Sequence, residues 1–179
     1  MPETETFVSK IFIAGSIDAV WREITKTDEP QGAMFNNRMH TDGLALGGQI
    51  RMRTPDGKYT GVIGEILEFD PPHRFAHTFR FTHLEDAECV VSYDLKEVDG
   101  GVEFTLTSKG VAVGSKTAKQ MKSGGGFICK TLKAIVEKGR LPLHVWTIYH
   151  VLKALSFMAP AATKSENWPL KGNGDAQPA

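Results

Sequence analysis

Hydrophobic and polar residues alternate along roughly the first 110 residues, and this period of two predicts β-strands. The alternation is clearest in RFAHTFRF (residues 74–81), where Phe75, His77 and Phe79 share one face. The turn signals PDG and DG separate neighbouring runs and predict hairpins. Six strands follow from this pattern, within residues 7–15, on both sides of the PDG turn in residues 47–69, and within residues 74–81, 88–95 and 102–107.

Two short helices are expected after the first strand. Ser16 precedes the segment IDAVWREIT and is a suitable N-cap, because its hydroxyl can accept a hydrogen bond from a free backbone N–H. Val20 and Ile24 of this segment lie on one face at helical spacing. A second short helix or turn is expected around Met34 and Phe35.

From Lys116 onward the period changes to 3.6, which predicts one long amphipathic helix ending near Gly139. Hairpin connections join antiparallel strands, so the order of elements predicts an α+β fold with a mostly antiparallel sheet. The apolar side of the long helix comprises Met121, Gly125, Ile128, Leu132, Ile135 and Val136.

The segment GGGFICKT within this helical region differs by one residue from a phosphate-binding loop. Gly124, Lys130 and Thr131 fit the motif, but Cys129 stands where the second glycine is required. The preceding residues are polar and helix-like, whereas a phosphate-binding loop follows a buried strand, so this function is not supported. Two interpretations remain. In the first, the helix runs through the glycines, which either let it approach the sheet closely or leave a void between helix and sheet. In the second, the helix begins at Phe127 and the glycines form the loop before it.

The segment LPLHVWTIYHVLKALSFMAP (residues 141–160) predicts an additional helix. It carries more apolar surface than one contact requires, since Trp146 lies away from the face shared by Ile148 and Leu152. Three roles are open: packing on its own domain, a homodimer interface through residues 141–158, or contact with a membrane surface. Membrane contact is the least expected, because the segment lacks the density of basic residues typical of surface-binding helices.

Composition narrows the possible locations and partners. Lys plus Arg equal Asp plus Glu at 21 each, so the charge gives no indication of nucleic-acid binding. Cys89 and Cys129 lie in apolar runs without metal-type spacing, which predicts buried free thiols. The acidic N-terminus has no apolar signal-peptide core, so we expect a cytoplasmic protein. No stretch reaches the roughly 18 apolar residues of a membrane span.

The length of 179 residues is enough for one domain with a sizeable core. We expect that domain in residues 1–139, the additional helix in residues 140–160 and a polar tail in residues 161–179.

Motifs spread over residues 7–139 carry a family resemblance. GVIGEILEFDPPHRFAHTFRF (residues 61–81) resembles a G-x-V-x-E…P-P-x-R-L stretch and is the most specific match. VW at residues 20–21, GGQI at residues 47–50 and GF at residues 126–127 resemble three further motifs, although phenylalanine replaces tryptophan in the last. In this order they resemble the SRPBCC superfamily of START-like, helix-grip proteins. The closest branch is named for the activator of the heat-shock chaperone ATPase.

The resemblance implies a curved six-stranded antiparallel sheet around a long C-terminal helix, with an apolar cavity between them. Related folds hold lipids, hormones or polyketides there, some are cyclases or dehydratases, and others bind proteins. We therefore expect binding of a small hydrophobic ligand. The alternatives are a cyclase- or dehydratase-type enzyme using the same cavity and a co-chaperone-like interaction module acting through the C-terminal helix. The residues expected to line the cavity are Phe35, Ile50, Met52, His77, Phe79, Cys89, Val91, Tyr93, Phe104, Met121, Gly125 and Ile128.

His77 and Tyr93 are the polar groups on an otherwise apolar inward face, where they could hydrogen-bond a ligand or be satisfied within the protein. No Ser-His-Asp or Cys-His arrangement is evident, so we assign no catalytic residue and expect no cofactor. No metal site is expected either. His73 and His77 would lie about 13 Å apart on a strand, whereas zinc ligands converge to about 2 Å from one ion.

Overall fold

The alternating stretches of the sequence form strands and the stretches of period 3.6 form helices in the structure, a computed structural model that describes residues 3–171. In chain order the elements are β1 (Thr4–Ile13), α1 (Ile17–Thr25), β2 (Arg38–Thr41), β3 (Gln49–Arg53), β4 (Thr60–Asp70), β5 (Arg74–Phe81), β6 (Cys89–Val98), β7 (Gly101–Ala112), α2 (Lys116–Lys138) and α3 (Leu143–Ala154), followed by short 3-10 helices at Ser156–Met158, Ala161–Thr163 and Ser165–Asn167.

The strands form one antiparallel sheet in the order β1-β7-β6-β5-β4-β3-β2. The α+β class and the curved antiparallel sheet agree with the prediction, but the expected count of six strands is wrong, because the sheet has seven. The additional strand is β2, which pairs with β3 from Arg38 opposite Arg53 to Thr41 opposite Ile50. Asp42 and Gly43 mark a turn after these residues, but an alternation of four residues is too short to predict a strand.

A second short helix or turn was expected around Met34 and Phe35. The structure has the turn and not the helix, since residues 32–36 form a turn between α1 and β2. Phe35 and Asn36 have φ angles of 56° and 58°, which lie in the left-handed region and cannot continue a right-handed helix. The backbone of Gln31 closes this turn by pairing with Asn37 across it. We call residues 31–37 the α1–β2 turn.

The long helix α2 runs without interruption through the three glycines, which decides between the two interpretations of that segment. The Ser115 hydroxyl accepts a hydrogen bond from the backbone N–H of Ala118 at 2.9 Å and caps the start of the helix. Gly139 ends it with a φ of 65°, a conformation that favours glycine, and donates its backbone N–H to the carbonyl of Ile135.

Gly125 lets α2 approach β1 closely. A Cβ atom at Gly125 would lie 2.5 Å from the Oγ of Ser9, so no larger residue fits there without displacement. The helix packs mainly against β1 and β7, at one edge of the sheet. The opposite part of the concave face, on β3 to β5, is therefore not covered directly by the helix, and this offset defines the space described below.

Helix α3 packs on its own domain through Val145 and Tyr149, which are buried. The Tyr149 hydroxyl donates a hydrogen bond of 2.7 Å to the carbonyl of Gly32, so α3 holds the α1–β2 turn from outside. The following segment returns to the sheet, where Lys164 pairs with Tyr59 and Arg53 donates to the carbonyl of Trp168.

The polar tail was predicted for residues 161–179. Its first part, residues 161–171, is described and contains two of the 3-10 helices, whereas residues 172–179 lie outside the described residues. Across residues 3–171, none of the helices is both long enough and apolar enough to cross a membrane. The cytoplasmic location and the division at residues 139 and 160 stay predictions.

Candidate functional site

A cavity of about 290 Å³ lies where α2 leaves the concave face of the sheet uncovered, and we call it the central cavity. Its walls are the inner faces of β3 to β7, the α1–β2 turn and the segment of α2 around the glycines. This volume is near the lower end of the range of roughly 300–1,000 Å³ typical of small-molecule sites. The lining is predominantly apolar and contains no aspartate, glutamate, lysine or arginine.

Ten of the twelve residues expected to line the cavity do so in the structure, although their role in binding stays a prediction. Cys89 and Phe104 do not. Cys89 packs with Val111 and Ala118 in a separate small cluster, because the first turn of α2 covers this end of β6. Phe104 is fully buried in the main core, and its ring stacks on that of Tyr93 with 6.2 Å between centroids. The ten residues are Phe35, Ile50, Met52, His77, Phe79, Val91, Tyr93, Met121, Gly125 and Ile128.

Several lining residues were not predicted, and one group of them belongs to the α1–β2 turn and to β2. A turn with left-handed residues has no hydrophobic period, so the inward direction of its side chains could not be predicted. Met39 was missed together with β2 itself. Gly124 could have been predicted as a lining residue, because it is the neighbour of Gly125 in the helix. The lining residues absent from the prediction include Gln31, Met34, Asn37, Met39, Phe81 and Gly124.

His77 is the most deeply buried ionisable group of the cavity wall, with 5% of its surface exposed. Its Nδ1 lies 2.7 Å from the carbonyl oxygen of Thr78, so Nδ1 carries the proton and donates to that acceptor. Gly64 lies opposite this hydrogen bond on the adjacent strand. A Cβ there would come within 2.0 Å of the Thr78 carbonyl oxygen and 3.2 Å of Nδ1, so glycine leaves room for both groups. The unprotonated Nε2 is therefore an acceptor, with the hydroxyl of Tyr93 at 3.5 Å.

Burial determines the protonation states of His77 and Tyr93. Desolvation lowers the pKa of His77 to about 4, although the hydrogen bond to Thr78 acts in the opposite direction. Desolvation also raises the pKa of the Tyr93 phenol well above its ordinary value. At neutral pH both groups are uncharged, and the cavity wall presents an imidazole acceptor beside a phenolic hydroxyl.

We predict that His77 makes the stability of the protein depend on pH. An unfolded histidine titrates near pH 6.5, whereas His77 stays neutral in the folded state down to about pH 4. Between these values the unfolded chain binds a proton that the folded chain does not. The stabilising contribution is thus complete above about pH 6.5 and is lost as the pH falls towards 4, by up to about 3 kcal/mol.

Urea unfolding of the wild type and of His77→Phe at pH 7.5 and pH 4.5 measures this effect. The free energy of unfolding of the variant should fall less over this interval than that of the wild type. The exposed His73 provides a matched control, because His73→Gln should follow the wild type. Equal losses in the wild type and in His77→Phe would show that His77 does not cause the pH dependence.

The α1–β2 turn contacts α2 through two stacked aromatic rings. The rings of Phe35 and Phe127 lie 4.9 Å apart between centroids and are inclined by 14°. Phe35 is 45% exposed and also lines the cavity, so this pair lies between the central cavity and solvent.

Neither metal chemistry nor thiol chemistry is evident at the site. Within residues 3–171 no group of three or more His, Cys, Asp or Glu side chains is placed to hold a metal ion. Cys89 and Cys129 are free thiols, as predicted, and burial raises the pKa of each to about 11. They are therefore protonated and weakly nucleophilic at neutral pH.

Comparison with known proteins gives a family match and structural matches. A family model described as activator of Hsp90 ATPase homolog 1-like protein matches residues 14–137. A search of curated proteins found no match.

Solved structures share the fold at low sequence identity. CalU16 from Micromonospora echinospora is 15% identical with a TM-score of 0.63, over 87% of this chain and 88% of CalU16. The solution structure of the Aha1 dimer from Colwellia psychrerythraea is 16% identical with a TM-score of 0.63, over 76% of this chain and 98% of that chain. DynU16, from the dynemicin biosynthetic locus, is 17% identical with a TM-score of 0.61, over 76% of this chain and 48% of DynU16. Identities this low support a common fold only.

Proposed function

The chain belongs to the family of activator of Hsp90 ATPase homolog 1-like proteins, and we propose that this member binds a small hydrophobic molecule in the central cavity. The observation that carries the proposal is the cavity itself, an apolar space of about 290 Å³ with few polar groups in its wall. Sites for small molecules commonly combine these two features, since apolar area supplies affinity and isolated polar groups supply orientation. The occurrence of DynU16 in the dynemicin biosynthetic locus is compatible with small-molecule chemistry in proteins of this fold.

The geometry favours binding over catalysis. The cyclase- or dehydratase-type alternative would use His77 as a general base assisted by Tyr93, but efficient proton transfer requires a catalytic pKa close to the working pH. Burial moves the pKa of His77 down to about 4 and that of Tyr93 upward, which makes His77 a weak base and Tyr93 a weak acid. The pair is better suited to hydrogen bonding with a ligand.

Native mass spectrometry of gently purified protein tests the proposal. The wild type should carry a bound molecule whose mass is lost on denaturation. The matched control is Gly124→Leu, which would place a side chain at a lining position where a Cβ meets no atom within 4 Å. This variant should remain folded and carry less of the bound molecule. Equal amounts of adduct on the wild type and on Gly124→Leu would mean that the molecule binds outside the central cavity. A wild type that carries no adduct and takes up no added hydrophobic compound would contradict the proposal.

We further propose that residues 141–158 form the interface of a homodimer. Val145 and Tyr149 pack inward, and the other side of α3 and the residues after it expose an extensive apolar surface. Trp146 and Phe157 are the aromatic side chains on it, with 49% and 74% exposure. A second copy fits better than a membrane, because the segment contains one lysine, no arginine and no acidic residue. A symmetric interface juxtaposes identical surfaces, and a nearly uncharged surface avoids repulsion between like charges. The neighbour from Colwellia psychrerythraea is described as a dimer.

The variant Leu152→Glu/Phe157→Glu tests this interface, since both side chains are more than half exposed. We expect sedimentation to change from dimer to monomer, because each new carboxylate would be buried without a partner in the dimer. The monomer should keep its fold. The matched control is Val8→Glu. Val8 is an apolar residue on β1 with a similar exposure of 61%, and it lies far along the chain from this segment. A wild type that sediments as a monomer at micromolar concentrations would contradict the proposal.

A further inference from the structure

Gln31 places a second buried acceptor in the wall of the central cavity, apart from His77. Its side chain is 1% exposed, and its Nε2 donates a hydrogen bond of 2.9 Å to the carbonyl of Lys26. This contact fixes the orientation of the amide, because the opposite orientation would bring two acceptor oxygens together. The remaining atom, Oε1, is buried and has no hydrogen-bond partner.

Two acceptors of the cavity wall are thus left for a donor from a ligand. Gln31 Oε1 has no partner within the protein, and the Nε2 of His77 has only the Tyr93 hydroxyl at 3.5 Å, a distance at the limit of a hydrogen bond. A buried acceptor without a donor is unfavourable, and satisfying it strengthens binding. The two acceptors belong to different walls, since Gln31 is in the α1–β2 turn and His77 is on the sheet.

The wall also excludes charged ligands. A carboxylate or sulfate would face Gln31 Oε1 and His77 Nε2 without a lysine or arginine in the lining, and a cation would find no carboxylate there. Burying an unpaired charge costs far more than burying a hydroxyl. His77 cannot supply a positive charge at neutral pH, because burial keeps its imidazole neutral.

We infer that the ligand is an uncharged, mostly apolar molecule that carries two hydroxyl or N–H donors, one for Gln31 Oε1 and one for the His77–Tyr93 pair. The inference rests on the proposed function and specifies the chemical class of its ligand. It excludes fatty acids and other amphiphilic anions as ligands of this cavity.

Calorimetric titration with three probes of one ring size tests the class of ligand. The probes are 1,5-dihydroxynaphthalene, which carries two donors, 1,5-dimethylnaphthalene, which has nearly the same shape without them, and the anion 1-naphthoate. We expect the diol to bind the wild type about tenfold tighter than the dimethyl compound, as two modest hydrogen bonds would give. The naphthoate should bind most weakly.

Variants then assign the preference to its residue. Gln31→Leu should reduce the preference for the diol to about threefold or less, whereas the same change at the exposed Gln120 on the cavity rim should leave it unchanged. Circular dichroism and urea unfolding establish that each variant is folded. The comparison of probes on the wild type decides the question even where Gln31→Leu fails to fold.

The outcomes separate the two proposals. Equal or tighter binding of the dimethyl compound, or tightest binding of the naphthoate, would overturn the inference while leaving the central cavity as a binding site. Failure of all three probes to bind would overturn the proposed function together with the inference.

Discussion

Replacing Gly125 by leucine is expected to lower the free energy of unfolding by about 2–3 kcal/mol. The new Cβ would lie 2.5 Å from the Oγ of Ser9 and 3.3 Å from its Cβ, so α2 would have to move away from β1. Overpacking of this kind typically costs about 1–3 kcal/mol. Urea unfolding monitored by circular dichroism measures the loss.

The neighbouring glycine supplies the matched control. A Cβ at Gly124 meets no atom within 4 Å, so leucine there should change the free energy of unfolding by less than about 1 kcal/mol, and the higher helix propensity of leucine favours a small gain. Identical losses for Gly124→Leu and Gly125→Leu would mean that the effect arises from the helix itself and not from close packing on β1.

Truncating Phe75 to alanine is expected to cost about 3–5 kcal/mol, the range found for fully buried aromatic residues. Phe75 is 0% exposed, and its ring lies 5.6 Å from those of both Phe69 and Tyr93. These rings form the packed floor beside the central cavity, and Trp21 contacts them from α1 at 6.5 Å from Phe75. Deleting the ring removes apolar contacts and leaves a void that its rigid neighbours cannot fill.

The control for Phe75→Ala is Phe79→Ala, four residues further along the chain on the same face of β5. Phe79 is only partly buried and borders the cavity, so its truncation enlarges an existing space and should cost distinctly less. Similar losses at the two positions, as measured by urea unfolding, would indicate that Phe79 is part of the packed core and that the cavity is smaller than described.

The two glycines have different roles, although they are adjacent in the chain. Gly125 brings the helix against the edge of the sheet, and Gly124 borders the space that this position of the helix leaves open. Close contact at β1 and β7 and open space over β3 to β5 are therefore two consequences of one arrangement. The sequence permitted either close approach or a void, and the structure contains both.

The structure was predictable in segments with a clear hydrophobic periodicity and was not predictable in segments without one. The inward face of β5 followed from alternation in RFAHTFRF, and the C-terminal end of α2 followed from Gly139. The left-handed residues Phe35 and Asn36 replaced an expected helix, because no period marks a turn that tertiary contacts hold in place. This region contributes Gln31, on which the inferred ligand chemistry depends.

Alternation identifies which face of a strand points inward, but not how far along the strand the cavity extends. Cys89 and Phe104 point inward as predicted, yet α2 covers the first and the aromatic core surrounds the second. Their exclusion depends on where the helix crosses the sheet, which is a property of the packed molecule. The same limit applies to Gly124, whose position beside the cavity depends on the contact made by Gly125.

Methionine methyl groups report most directly on the central claim that a small molecule occupies the cavity. Four of the six methionines of the chain line it, namely Met34, Met39, Met52 and Met121, and Met158 is 69% exposed on the surface after α3. In protein labelled with 13C at the methionine methyls, titration with 1,5-dihydroxynaphthalene should shift the signals of the four cavity residues and leave that of Met158 unchanged. Shifts confined to Met158, or no shift of the four cavity signals at saturating probe, would contradict the account.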